Sequence, residues 1–114
     1  MEITFQDGKL EMECNDDKLL KRRHGDRRAK LLKSRLATLR AANSLADLGP
    51  AYRGPYRCHE LIGNRKGQLS IDLDHPYRLI FASSHELPPQ KESGGLDWSK
   101  VTAVSILEIS NTHD

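Results

Sequence analysis

Five residues in the second half of the chain carry groups that can handle a phosphodiester: His59, Arg65, Lys66, Arg78 and His113. Metal-free cleavage of RNA takes a base for the 2′-OH proton, cations to neutralise the phosphate and an acid for the departing 5′-oxygen. The product is a 2′,3′-cyclic phosphate. His59 could serve as acid or base near neutral pH, and the competing reading is a surface or structural histidine. Arg65 and Lys66 stand in a turn, where long cations reach a phosphate or are simply solvated. Arg78 lies between Tyr77 and Leu79, so on a half-buried strand it faces away from both. From a wet sheet face it would clamp a phosphate, or pair with Asp72 or Asp74 across the ladder. His113 would frame the site if the last strand runs beside Arg78; otherwise it belongs to a frayed tail.

A second candidate surface is electrostatic. Residues 18–40 hold ten lysines and arginines against Asp26 alone, a charge of +9, so the whole-chain value of +2 leaves −7 for the rest. Such a block attracts polyphosphate through counterion release, and attracts an acidic protein partner equally well. Arg22, Arg23, Arg27 and Arg28 are candidates for holding RNA, against the alternative of a solvated helix face; no aromatics that stack on bases are interleaved with them. Cys14 and Cys58 have no CxxC spacing and no second metal-type pair, so free thiols are expected, with no metal and no cofactor.

The elements that must position these groups follow from patterning. A length of 114 residues suits one domain, 1–114, with one core. No apolar run reaches the roughly 20 residues of a membrane span, and the start of the chain has no basic region followed by an apolar stretch, so a cytoplasmic protein is expected. Residues 1–5 alternate as a short strand closed by Asp7-Gly8. Asn15 or Asp16 caps a helix, Gly25-Asp26 stops and restarts it, and Ala29, Leu32, Leu36, Leu39 and Ala42 form one apolar stripe. Residues 44–48 add a helical turn. Strands are predicted over 56–61, 68–73, 77–82 and 101–109, the last apolar on both faces as an interior strand would be. Residues 83–98 form a long loop or a partner-binding insertion. The expectation is an α+β fold: an antiparallel sheet of about four to five strands with two N-terminal helices packed on one face.

Three stretches together resemble the HigB-type killer proteins of the RelE/ParE toxin superfamily. They are His59-Glu60-Leu61-Ile62-Gly63-Asn64-Arg65-Lys66-Gly67-Gln68-Leu69-Ser70-Ile71, Tyr77-Arg78-Leu79-Ile80-Phe81 and Ile109-Ser110-Asn111-Thr112-His113. The helical half and Asp97-Trp98-Ser99-Lys100-Val101-Thr102 fit the same family, so the resemblance spans nearly the whole chain. It implies a microbial-RNase-like fold and a ribosome-dependent mRNA endonuclease that blocks translation. The implied partners are the ribosome, mRNA, a helix-turn-helix antitoxin and, through that antitoxin, operator DNA. It adds Gln68 and Tyr77 to the RNA-binding candidates. The chain departs from the pattern at Ile62, where many relatives have lysine, and at Thr112, where many have tyrosine; an ammonium and an aromatic platform are thus missing. Two other functions stay open: a non-catalytic topoisomerase inhibitor of the ParE kind, and an attenuated homologue that binds antitoxin and operator.

Overall fold

The structure, a computed structural model, describes residues 1–111. Among these residues, strand β1 (Glu2–Phe5) is followed by helices α1 (Gly8–Cys14), α2 (Asp17–His24) and α3 (Asp26–Ala41), then by β2 (His59–Glu60), β3 (Gln68–Asp72), β4 (Arg78–Ser83) and β5 (Ala103–Ser110). The α+β expectation holds. Single turns of 3-10 helix cover Leu45–Leu48, Gly63–Arg65 and Trp98–Lys100. None of the described helices is long and apolar enough to cross a membrane.

Local chemistry sets the helix boundaries. Asp16 accepts a hydrogen bond from Leu19 N at 3.2 Å and caps α2, and Gly25, at φ +82°, ends α2 and starts α3. Asp7, expected to close a turn, instead caps a helix by accepting from Lys9 N at 2.9 Å and Leu10 N at 3.4 Å. Three helices therefore stand where two were expected. The extra one is only seven residues long, too short for an apolar period to reveal it.

The sheet order is β1-β5-β4-β3-β2. Strands β2, β3, β4 and β5 pair antiparallel, but β1 runs parallel to β5, with Glu2 opposite Ala103 and Phe5 opposite Ile106. The sheet is mixed, not antiparallel as expected. The helices carry the chain away from β1, and the strand that returns beside it does so in the same direction, a long crossover that alternation within single strands cannot disclose. Ala29, Leu32, Leu36 and Leu39 of α3, with Leu10 and Leu20, pack on one sheet face against Leu69, Ile71, Leu79, Phe81, Val104 and Ile106. The 83–98 connection is pinned to the sheet by Glu60, whose carboxylate accepts from Leu96 N at 3.1 Å and Trp98 Nε1 at 3.2 Å.

Candidate functional site

Because the helices take one face of the sheet, alternation sends every second residue to the other. The register lines these residues up in rungs: His59, Ser70, Ile80 and Glu108 across β2 to β5, then Asp72, Arg78 and Ser110 beside them. A register shift between Ile80 and Phe81 inserts one extra residue in β5. It lets Ile106 and Ile109 both reach the core while Glu108 stays on the polar face.

Three guanidiniums converge on this face. Arg57 NH1 lies 3.7 Å from Asp72 Oδ2, Arg78 Nε lies 3.7 Å from Asp72 Oδ1, and Arg65 NH2 lies 3.7 Å from Glu108 Oε1. Arg65 also donates to Gln68 Oε1 at 2.9 Å, which draws its side chain from the turn back over the sheet. Arg78 faces away from Leu79 as alternation requires. Its side chain is only 11% exposed, opposite Asp72 in the ladder, so the alternative of a cross-strand ion pair is realised.

His59 is 1% exposed. The ring of Tyr52 stacks on it with centroids 4.1 Å apart and planes 16° from parallel. Nδ1 is 2.8 Å from the Arg57 carbonyl, which only accepts, so Nδ1 carries a proton and donates it to that carbonyl. Nε2 and the Oγ of the facing Ser70 are buried without hydrogen-bond partners among the described residues. A proton-transfer role for His59 therefore requires Nε2 to become accessible. Thiol chemistry is remote: burial, reinforced by the charge of Glu60, pushes Cys58 up to about 12, and burial with Glu13 pushes Cys14 to about 11.

Other sequence candidates lie elsewhere. Arg28 grips Asp74 through Nε at 3.0 Å and NH2 at 3.1 Å, and its guanidinium sits 3.5 Å above the Tyr77 ring. Both residues thereby tie α3 to the β3–β4 connection. Arg23 Nε lies 3.9 Å from Glu13, which also meets His24 at 2.8 Å. Arg22 and Arg27 are exposed on the helices. Lys66 lines a groove with Leu61, Ile62, Pro88 and Leu96, and Ile62 itself is 87% exposed. His113 and Thr112 lie outside the described residues. Sequence reasoning missed Arg57 and Tyr52. Both adopt left-handed backbone, at φ +50° and +65°, so strand alternation says nothing about where they point. The one available signal was an aromatic residue between Gly49-Pro50 and Gly54-Pro55. No family model, curated protein or solved structure matches the chain.

Proposed function

We propose that this protein is a toxin of the RelE/HigB kind that acts on RNA at the ribosome, with the polar sheet face as its working surface. The observation that carries this reading is the meeting of three guanidiniums with two carboxylates on one face, each pair at 3.7 Å. Charge-assisted hydrogen bonds are usually shorter, about 2.7–2.9 Å, so the Arg57 and Arg65 ion pairs are weak enough for a phosphate to replace. The face keeps a surplus of one positive charge among these five groups. Arg65 and Arg57, at the ends of the cluster, would take the phosphate, and Arg78, between the strands, would neutralise charge as it develops on the phosphorus oxygens.

The sealed position of His59 favours a second reading, in which RNA is held and not cut. Mapping mRNA ends on translating ribosomes separates the two. Codon-phased ends carrying 2′,3′-cyclic phosphates, lost in Arg65→Gln and Arg78→Gln, support cleavage. Ribosome association without new ends selects the binding-only reading. No association with ribosomes or RNA overturns both and turns attention to a protein target.

A further inference from the structure

Tyr52 is the one exposed tyrosine, phenylalanine or tryptophan among the described residues, at 55%. Its ring is not loose on the surface. The inner face lies on the buried ring of His59, and the backbone is held at φ +65°, a conformation that residues with a side chain adopt only at a cost. Several contacts hold it there. Tyr52 N donates to Cys58 O at 3.1 Å, Gly54 N donates to Pro50 O at 3.0 Å, and Gly54 packs so closely on Leu48 that a side chain on it would strike the Leu48 carbonyl. The loop from Gly49 to Arg57 is thus built to present one ring at a fixed height above the polar face. Arg57, at the end of the same loop, carries a half-exposed guanidinium beside Asp72, two residues along β3 from the Ser70 that faces His59. That is a separation of about 7 Å along the strand.

We infer that Tyr52, supported from beneath by His59, is a stacking platform for an unpaired base of single-stranded RNA, and that Arg57 holds a phosphate next to it. The inference rests on the reading that the polar face handles RNA. A ring already immobilised on one side loses little freedom when a base covers the other, and flat stacking beside a cation is how proteins hold single strands with little sequence preference. His59 is a positioning residue here: it sets the height and tilt of the platform. The competing account is that Tyr52 only seals His59 from water. Leucine would seal it as well but offers no π-face.

The test uses a single-stranded oligoribonucleotide of eight residues containing 2-aminopurine, titrated with the full chain. The unaltered protein should bind it and quench the 2-aminopurine. Tyr52→Ala and Tyr52→Leu should each weaken binding about tenfold and abolish the quenching, whereas Tyr52→Phe and Tyr52→Trp should retain both. The slope of log affinity against log salt should be unchanged in all four and should fall by about 0.7 in Arg57→Gln, the value for one phosphate contact on a single strand. Binding by the unaltered protein that survives Tyr52→Leu, with quenching intact, overturns the platform and leaves the RNA reading standing. Equal losses in Tyr52→Trp and Tyr52→Leu overturn it also, since a larger π-face should bind at least as well. No binding by the unaltered protein, free or on ribosomes, overturns the RNA reading and the platform with it.

Discussion

Two kinds of arginine can be told apart by distance. Arg28 makes two hydrogen bonds of about 3 Å to Asp74 and caps an aromatic ring, whereas Arg57 and Arg65 stand 3.7 Å from their carboxylates. The first kind holds the fold. Burial pushes the Asp74 carboxyl up, but hydrogen bonds from Arg28 and its own backbone, with the charges of Arg28 and Arg27, outweigh this and leave it below the ordinary carboxylate value. A depressed carboxylate pKa stabilises the fold above the unfolded-state value of about 4, and that stabilisation is lost as pH falls through the lower folded value. Arg28→Ala should therefore cost about 2 kcal/mol at pH 7, on the order of 8 °C in Tm. Asp74→Asn should be less stable than the natural chain at pH 7 and lose less on going to pH 3. Urea midpoints at the two pH values check both; parallel acid losses would remove Asp74 from the account. In the sequence Arg28 is one of ten cations scattered over residues 18–40, and its partners lie more than forty residues away. Only Arg78 sits opposite its partner by simple alternation, and Asp72 was accordingly one of the two carboxylates the sequence offered for it.

The polar face depends on two elements that break regularity, the irregular pairing in β5 and the loop from Gly49 to Arg57. Gly54 is the keystone of the loop, since an added Cβ would lie 2.2 Å from the Leu48 carbonyl oxygen, a backbone atom that cannot swing aside. Gly54→Ala should cost about 1–3 kcal/mol in stability and reduce oligoribonucleotide binding to the level of Tyr52→Leu. Gly8→Ala, where a Cβ meets nothing within 4 Å, should leave both unchanged. Thermal melts with the same titration decide it: full binding by Gly54→Ala would show that the loop does not set the ring. At this scale the sequence was informative wherever a period or a cap exists. The α3 stripe, the Asp16 cap and the Gly25 break stand as expected, and strands occupy the predicted regions. It was silent on α1 and on the parallel β1–β5 pairing. The strand expected over 56–61 shrinks to two residues because Arg57 turns left-handed just before it.

The whole molecule has two cationic surfaces separated by the sheet. On the helix side Lys18, Lys21, Arg22, Arg27 and Lys30 are exposed and make no ion pair among the described residues. Arg23 and Arg28 are tied to Glu13 and Asp74, so removing them disturbs the fold along with any docking. Lys21→Gln, Arg22→Gln and Lys30→Gln together should therefore flatten the salt dependence of ribosome association by close to one unit for each phosphate no longer neutralised, with Tm unchanged. If this side instead receives an acidic antitoxin segment, the triple variant will escape neutralisation in growth assays while its sedimentation with ribosomes across a salt series stays as before. The +9 block made this surface legible in the sequence; of the polar face, Arg65 and Arg78 were legible and Arg57 was not, because left-handed backbone there gives alternation nothing to say. The place of β5 between β1 and β4 governs when either surface exists. Roughly 100 residues separate β1 from β5, about 5–20 s of synthesis, and until β5 has emerged β1 has no partner and β4 is an open edge. Folding thus waits on the last strand, and a chain whose synthesis stops before it has neither Glu108 nor a closed core.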